Sequence, residues 1–211
     1  MSVARLLTWL ILGTAPLACA AQIVSEQRDV LQGTYFGINV GKSKYHFRDP
    51  PAGLSSDFCG NGALDCRDDP IGWKATGGYM IWRWFGIEAS AFAMGDANIK
   101  FDLGGGDVFT QKVQIQGYGL SAVGAVPLGP VTLNGRAGYA ASSGSRRDDV
   151  NGGNVFRSRK SRAEPLFGAG LRVRVWRGMF VGLDWDHARA RTTLGEKFDA
   201  DLYSAGIGWA F

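Results

Sequence analysis

The fold is decided by one stretch, GWKATGGYMIWRWFGIEASAFAM (residues 72–94), in which apolar residues recur at every second position. Its first half sets Trp73 on one face and Lys74 on the other, and its second half separates Ile87 from Glu88 in the same way. A period of two is the pattern of a β-strand whose two faces meet different surroundings. The short connection between the halves therefore predicts a β-hairpin.

The same alternation recurs along the chain. Five further segments show it, namely residues 33–41, 131–140, 165–175, 180–186 and 202–211. An eighth segment, residues 111–126, is strand-like, but Val113 and Ile115 have the opposite parity to Tyr118. A β-bulge near Gly117 would reconcile the two phases. The pattern predicts eight strands.

Composition supports a β-structure and excludes other classes. The 211 residues include 31 glycines, 12% aromatic residues and 20% charged residues. Glycine costs a helix interior about 1 kcal/mol each, so this content argues against a helical domain. The charge is too low and the aromatic content too high for a disordered chain. A formal net charge of +4 does not imply a nucleic-acid partner.

The N-terminus is typical of a secretory signal peptide. Arg5 precedes an apolar run over residues 6–17, and the small residues up to Ala20 or Ala21 form the cleavage site. A transmembrane anchor is the first alternative, although the run is shorter than the ~20 residues that a helical span needs. A lipoprotein in which Cys19 is lipidated is the second. The predicted signal peptide places the mature chain outside the cytoplasm.

Export determines how the remaining cysteines are interpreted. Cys59 and Cys66 lie among glycine and aspartate residues, with six residues between them. In an oxidising compartment a pair this close predicts a disulfide that closes a small loop. A metal site is the alternative, but His46 precedes the segment and the aspartates lack the ordered spacing of a calcium loop.

The connections between the segments alternate in length. The long ones are residues 46–71, 96–110, 142–163 and 188–199, and the short ones are residues 82–85, 127–130 and 176–179. Outer-membrane barrels have short periplasmic turns, longer extracellular loops and both termini on the periplasmic side. We therefore predict an all-β fold, an eight-stranded antiparallel transmembrane up-and-down β-barrel. A soluble barrel or sandwich is the alternative.

Tryptophans lie near the ends of the predicted strands rather than at their centres. Four belong to the periplasmic end, namely Trp82, Trp84, Trp176 and Trp209. Two lie toward the opposite end, Trp73 and Trp185. Indole prefers the membrane interface because it is apolar with one donor to satisfy. The positions predict two aromatic girdles and favour the membrane barrel over a soluble one.

Three stretches, TYFGINVG, GWKATGGYMIWRWFGIEASAF and SAGIGWAF, resemble the OmpA-like barrel family of Gram-negative outer membranes. The last resembles the β-signal of that family through Ser204, Gly206, Trp209 and Phe211. The resemblance implies the outer membrane as the location and the barrel-assembly machinery as a partner. It covers the barrel domain only, so peptidoglycan binding is not expected. The expected division is a signal peptide (1–21), a short periplasmic segment (22–32) and the barrel (33–211).

A barrel of eight strands encloses a lumen that side chains can fill. Seven charged residues have inward parity, namely Lys74, Glu88, Arg136, Arg172, Arg174, Asp184 and Asp186. Such charges must be paired, and the turn after Val175 is expected to set Arg172 or Arg174 directly across from Asp184. Glu88 is expected to pair with Arg136. We predict that these pairs close the lumen and that any conductance is small.

An enzymatic role has little support in the sequence. Some small outer-membrane barrels modify lipid A or cleave peptides, which requires a base beside a nucleophile or an activated water. His187 follows Asp184 and Asp186, yet Asp186 and His187 point to opposite faces of a strand. No serine stands two residues from His187, where a lipid A deacylase would have one. We expect no catalytic residue, cofactor or metal.

The excess of positive charge is concentrated in the third long connection. Its acidic residues are only Asp148 and Asp149, whereas its cations are Arg146, Arg147, Arg157, Arg159, Lys160 and Arg162. Such a loop suits binding of outer-membrane lipid, lipopolysaccharide or a host or surface polyanion. A solvated flexible loop is the alternative.

We expect a monomer that binds no nucleic acid and has a structural or surface-interaction (adhesin-like) role. A narrow channel for small solutes is the alternative. A lipid A-modifying enzyme is the weaker alternative.

Overall fold

A computed structural model describes residues 30–31, 33–47, 59, 65–104, 107–151, 153–191 and 197–211. Nine strands form within these ranges. They are β1 (Gly33–Phe47), β2 (Asp65–Arg67), β3 (Ile71–Trp82), β4 (Phe85–Gly104), β5 (Asp107–Leu128), β6 (Val131–Val150), β7 (Gly153–Trp176), β8 (Met179–Arg191) and β9 (Lys197–Ala210). Among the described residues, no helix is long and apolar enough to cross a membrane.

Eight of the strands close a ring. The order runs β4, β3, β1, β9, β8, β7, β6, β5, and an additional pairing of β4 with β5 joins the two ends. Every pairing is antiparallel. The short β2 adds to the outer part of β4, where Cys66 pairs with Ile99. The predicted eight-stranded up-and-down barrel is confirmed, with β2 as an addition.

The two faces of each strand differ as the alternation predicts. Apolar side chains with outward parity are exposed, including Phe36 at 50%, Ile38 at 58% and Leu183 at 61%. Their neighbours with inward parity are buried, among them Lys74 and Glu88. In a lipid bilayer the exposed band faces hydrocarbon, because an outer-membrane barrel is apolar outside and polar inside.

The strands on one side of the barrel are much longer than a membrane requires. β4, β5, β6 and β7 have 20, 22, 20 and 24 residues, whereas a crossing strand needs about 9–11. The sequence predicted loops over residues 96–110 and 142–163, and this prediction was wrong. Both ranges are mainly strand, because the continued ladders satisfy the backbone. In the first range the inward residues Ala97 and Ile99 also find an apolar interior. These outer parts of β4–β7 form the extracellular extension.

The bulge expected near Gly117 is also wrong. β5 pairs with β6 without a register shift from Phe109 to Leu128, so inward and outward residues alternate through the whole strand. Val113 and Ile115 point into the barrel at 1% and 0% exposure. The irregularity lies instead in β4, where the pairing with β5 shifts around Gly95, a residue at a φ of 75°. Glycine adopts this left-handed conformation without steric cost.

Part of the predicted domain division lies outside the described residues. The signal peptide over residues 1–21 belongs to that part, as does most of the segment over residues 22–32. Of that segment, Val30 and Leu31 are described, and both are 1% exposed at the periplasmic end of the lumen.

Candidate functional site

Charged side chains fill the middle of the lumen. Six of them are each no more than 5% exposed, namely Lys74, Glu88, Arg136, Arg172, Asp184 and Asp186. We call them the central ion cluster. Three are cations and three are carboxylates, so their formal charges cancel. This balance is required because a buried charge without a partner is strongly unfavourable.

Arg136 is the centre of the cluster. Its three guanidinium nitrogens lie 3.1 Å from Glu88 Oε1, 2.7 Å from Asp184 Oδ1 and 2.9 Å from Asp186 Oδ1. Lys74 Nζ donates to Asp186 Oδ2 at 2.5 Å and lies 3.4 Å from Asp184 Oδ2. One arginine on β6 thus joins carboxylates of β4 and β8 across the barrel interior.

Two polar residues of β1 complete the cluster, and sequence reasoning missed both. The Tyr35 hydroxyl donates to Glu88 Oε2 at 2.9 Å, and Asn39 Nδ2 donates to Asp184 Oδ2 at 2.8 Å. The alternation did indicate that both side chains point into the lumen, because both residues have the parity opposite to the lipid-facing Phe36. Only formal charges were sought on that face, so neutral hydrogen-bonding partners were passed over.

The expected register of β7 and β8, which set Arg172 or Arg174 opposite Asp184, was wrong by two or four residues. Asp184 lies directly opposite Gly170, whereas Arg172 pairs with Gly182 and Arg174 pairs with Phe180. The ladder shifts beside the turn, between Arg174 and Trp176, which moves the centre of the hairpin from its expected position. Arg172 still reaches the cluster diagonally.

Arg172 is held by both charge and aromatic faces. Its Nη2 lies 3.6 Å from Glu88 Oε2 and 3.8 Å from Asp184 Oδ2. The guanidinium carbon lies 5.3 Å from the Tyr35 ring centroid and 5.4 Å from that of Phe180. Such cation–π contacts suit a buried arginine because the guanidinium is less strongly hydrated than an ammonium group.

Apolar layers lie on both sides of the central ion cluster. Toward the periplasm, the periplasmic plug consists of Val30, Leu31, Tyr35, Met80, Ala125 and Phe180. Toward the cell exterior, the upper apolar cluster consists of Tyr45, Phe92, Met94, Ala97, Ile99, Val113, Ile115, Ala140, Leu166, Ala188, Ala190, Phe198, Ala200 and Leu202. All are at most 4% exposed. The described part of the lumen is therefore filled at three successive levels.

The predicted disulfide is confirmed and covers the upper apolar cluster. Cys59 and Cys66 are bonded, with their Cα atoms 5.6 Å apart, and both pack against that cluster. β2 is held to β4 by its ladder and by Lys100 Nζ, which donates to Asp65 Oδ2 at 2.8 Å. The alternative of a metal site gains no support, since no group of at least three His, Cys, Asp or Glu residues in the described ranges could hold a metal ion.

The basic residues of the third predicted connection, residues 142–163, lie on the extracellular extension. Arg146 Nε donates to Asp148 Oδ1 at 2.9 Å, and Arg147 Nε donates to Asp149 Oδ1 at 3.1 Å. Both aspartates therefore neutralise arginines of their own strand, β6. The remaining predicted cations, Arg157, Arg159, Lys160 and Arg162, stand on β7 opposite Arg147, Ser145, Gly144 and Ser142.

The histidines do not join the aspartates that precede His187 in sequence. Asp184 and Asp186 belong to the lumen, whereas His187 lies on the outer face with its Nδ1 3.0 Å from Asp201 Oδ1. Asp201 also accepts a hydrogen bond from Trp185 Nε1 at 3.0 Å. Partial burial opposes the charged form, but the His187 and Trp185 hydrogen bonds hold the pKa of Asp201 below its usual range.

The aromatic residues occupy the expected levels. On the periplasmic side Trp82, Trp84 and Trp176 are 59%, 61% and 62% exposed, and the first two rings stack with centroids 5.8 Å apart. Trp209 is half-buried at the same end of the barrel. Trp73 and Trp185 are exposed at the opposite end, where Tyr203 pairs directly with Trp185. This end therefore also has an indole and a phenol, as an interface girdle requires.

The C-terminal residues close the barrel against β1. Gly206 lies between Asn39 and Gly182 in the ladders, and Ser204 faces the lumen. The Phe211 amide donates to the Thr34 carbonyl at 2.9 Å, and the Phe211 ring lies 6.0 Å from that of Phe36.

Comparisons with known proteins agree with this architecture. The family model of the outer membrane protein beta-barrel domain matches residues 10–211. The attachment invasion locus protein Ail of Yersinia pestis, solved in complex with the heparin analogue sucrose octasulfate, is 14% identical with a TM-score of 0.51. The alignment covers 85% of this chain and 100% of Ail. No curated protein matches the chain at a significant level.

Neisserial surface protein A is a second similar structure. It is 14% identical, has a TM-score of 0.53, and the alignment covers 85% of this chain and 98% of that one. At this identity the two likenesses show the fold alone. The family match extends over nearly the whole chain and agrees with the OmpA-like resemblance of the sequence. The chain therefore belongs to the outer membrane protein beta-barrel domain family and is an integral protein of the Gram-negative outer membrane.

Proposed function

We propose that the protein is a closed barrel that acts at the cell surface by binding polyanions through its extracellular extension. The observation that carries this proposal is the charge of residues 142–163. They hold six cations and two aspartates, which gives 6 − 2 = +4. The ladder concentrates this charge in one hairpin that rises above the membrane.

The arrangement of the hairpin supports an anionic partner. Arg147 and Arg157 are directly opposed on β6 and β7. Like charges opposed across a ladder destabilise it, and an anion bound between the strands would remove that cost. Asp149 compensates Arg147 only in part, since the Arg147 side chain remains 49% exposed. An exposed guanidinium beside further cations suits bidentate contact with phosphate or sulfate.

The complex of Ail with sucrose octasulfate provides a suitable probe. Ail shares the fold at low identity, so its ligand suggests only the chemical class to be tested here. Outer-membrane lipid and lipopolysaccharide are the surroundings of the lipid-facing band, and the barrel-assembly machinery is the partner that the C-terminal strand implies. We propose that the protein works as a monomer.

The alternatives fit the geometry less well. A narrow channel requires a continuous path, but the periplasmic plug, the central ion cluster and the upper apolar cluster fill the lumen at three levels. An enzyme that uses His187 requires a hydroxyl, a thiol or an activated water beside it. Its described contacts are with the carboxylates of Asp199 and Asp201. We therefore propose a non-enzymatic role.

The test measures binding of sucrose octasulfate and heparin to the folded protein in detergent micelles, at two salt concentrations. We expect binding that weakens as salt rises, because exposed charges are screened over about 10 Å at 0.1 M ionic strength. Arg157→Gln combined with Arg159→Gln should reduce the affinity about tenfold.

The matched control removes two arginines from the periplasmic end, Arg83→Gln with Arg177→Gln. It changes the net charge by the same amount and should leave the affinity within about twofold of wild type. Equal losses in the two variants would contradict a site on the extension. Undetectable binding of both probes to wild type at low salt would contradict polyanion binding itself.

A further inference from the structure

A second charged surface lies on the outer face of β1, β9 and β8, on strands outside the β6–β7 hairpin. The ladders align outward-facing residues there in two rows. The rows are Lys44, Asp201 and His187, then His46, Asp199 and Arg189. We call these six residues the outer patch. Both histidines of the protein belong to it.

The outer patch lies at the depth of the lipid head groups. The row immediately below it consists of Lys42, Tyr203 and Trp185, and the last two are 59% and 38% exposed in the extracellular girdle. Aromatic girdles mark the boundary between hydrocarbon and head groups. The next row outward therefore faces the head groups of the outer leaflet, whose glycolipid carries phosphates.

The histidines share carboxylates across the strands. His187 Nδ1 lies 3.0 Å from Asp201 Oδ1, and His187 Nε2 lies 3.8 Å from Asp199 Oδ2. His46 Nδ1 lies 3.8 Å from Asp201 Oδ2. The Asp201 carboxylate therefore lies near both imidazole rings. A proton taken up by either ring adds positive charge beside this same carboxylate.

The charges of the patch balance only while the histidines are neutral. Lys44 and Arg189 offset Asp199 and Asp201, so the sum is 2 − 2 = 0, and protonation of both histidines makes it +2. Histidine changes charge between about pH 5 and 8. Arg189 Nε is enclosed by the protein and has no hydrogen-bond partner within the described ranges, so Arg189 contributes to the patch through its charge.

Within the described ranges, the neighbouring elements do not reverse this balance. Below the patch, Lys42 Nζ is already paired with Asp69 Oδ2 at 2.5 Å. β7 places the apolar Phe167 opposite His187, and β9 adds one more cation, Lys197, above Asp199. The described surroundings are thus neutral or weakly positive, and the two imidazoles change the sum of charge within this part of the structure.

We propose that the outer patch is a proton-controlled binding site for the phosphate groups of the outer-leaflet glycolipid, engaged on acidification and released at alkaline pH. Protonated His46 and His187 supply charge at phosphate depth, beside the guanidinium charge of Arg189. This site goes beyond the proposed polyanion binding, because it lies on other strands and serves a lipid of the same membrane.

The test uses the full-length folded protein in phosphatidylcholine nanodiscs with fluorescent diphosphoryl lipid A as the probe. Binding is measured at about pH 5.5 and about pH 8, on the two sides of the histidine range. Two added charges at the interface should strengthen binding about tenfold at the lower pH. Equal affinity at the two pH values would overturn the proposal.

Two variants separate the patch from general charge effects. His46→Gln with His187→Gln should remove the gain in affinity at the lower pH and retain the affinity measured at about pH 8. Only the opposite change should then remain, because phosphate monoesters lose charge below their second pKa of about 6. The control Lys112→Gln, an exposed cation on β5, should keep the full pH dependence. Tighter binding at the lower pH that persists in the double histidine variant would overturn the proposal.

Further measurements identify the ligand and check that each variant is folded. Dephosphorylated lipid A should not compete with the probe. If inorganic phosphate competed as strongly as unlabelled lipid A, the ligand would be free phosphate rather than the lipid, which would overturn the assignment. Arg189→Gln, which leaves both histidines in place, should weaken binding about fivefold at both pH values. Unchanged binding in this variant would also contradict the site. Heat-modifiable gel migration checks that each variant is folded.

Discussion

The middle and upper parts of the lumen differ in chemistry, although the same strands line both. At the middle of the lipid band the inward side chains are charged, as in the central ion cluster around Arg136. In the extracellular extension the interior holds an apolar core, as Ile99 and Ile115 show, beside a few buried polar side chains such as Gln111. The parity of the strand does not change between these regions, since β5 alternates without interruption.

The difference follows from what surrounds each part of the barrel. In the bilayer the outer face is covered by hydrocarbon, so apolar residues face outward and polar residues are left for the interior. Above the bilayer the outer face meets water, and burial of apolar side chains inside the barrel becomes the stabilising term. One continuous barrel therefore behaves as a membrane barrel below and as a water-soluble barrel above.

Removal of the central cation should have the largest effect. Arg136→Gln leaves Glu88, Asp184 and Asp186 with less compensation in a buried site, and we expect a loss of about 3–5 kcal/mol in the free energy of unfolding. The measurement is urea unfolding of the protein refolded into lipid vesicles. Arg177→Gln, in the exposed periplasmic turn, should change stability by less than about 0.5 kcal/mol. A similar small change in Arg136→Gln would show that the ion cluster is not coupled to folding.

In the upper lumen, stability should depend mainly on the packing of apolar side chains rather than on ion pairs. Ile115→Ala removes buried methyl groups from the upper apolar cluster, and we expect a loss of about 2–4 kcal/mol by the same urea measurement. Gln116→Ala, one residue away on the outward face of β5, should be close to neutral. If the two variants had equal effects, the interior of the extension would not be a packed core.

Loss of the disulfide should loosen the upper part of the barrel locally. Cys59→Ser with Cys66→Ser opens a small loop, a change worth about 2 kcal/mol by loop-closure entropy. We expect faster amide hydrogen exchange at Cys66 and Arg67 of β2, by roughly 30-fold, since local opening sets the exchange rate. Exchange in the membrane part of β4 should not change. Equal acceleration there would mean that the disulfide stabilises the whole barrel.

The smallest effect should come from protonation of Asp201. Because its pKa is lowered in the folded protein, its contribution to stability is present above the ordinary aspartate value of about 3.9 and is lost as the pH falls through the folded value. The indole N–H resonance of Trp185 should therefore show a separate shift below about pH 3.9. The stability change should stay under about 1 kcal/mol, since solvent screens this partly exposed group. Asp201→Asn should remove the shift, and a shift that persists in this variant would assign it to another group.

The sequence predicted the membrane part of the fold well. Alternation in residues 33–41, 72–94 and 202–211 placed Phe36, Trp73 and Ile207 outward and Lys74 inward, because lipid on one side and a polar lumen on the other impose a strict period of two. The disulfide followed from the spacing of the two cysteines in an exported chain.

The extracellular extension could not be predicted in the same way. We assumed that apolar residues face lipid, so Val113 and Ile115 seemed to be out of phase with Tyr118, although all three follow one strand. The charged and glycine-rich residues 142–163 resembled a loop because strand pairing with a neighbour leaves little local signal. The partners of the ion cluster depended on the register of β7 and β8, and an irregularity between Arg174 and Trp176 places Gly170 rather than Arg172 opposite Asp184.

The most direct test of a filled lumen is the conductance of the purified, refolded protein in a planar lipid bilayer. The three buried layers predict no large stable channel at neutral pH, in wild type or in the Arg177→Gln control, because no continuous aqueous path crosses the described lumen. Long-lived conductance steps of a size typical of a water-filled pore would contradict the account.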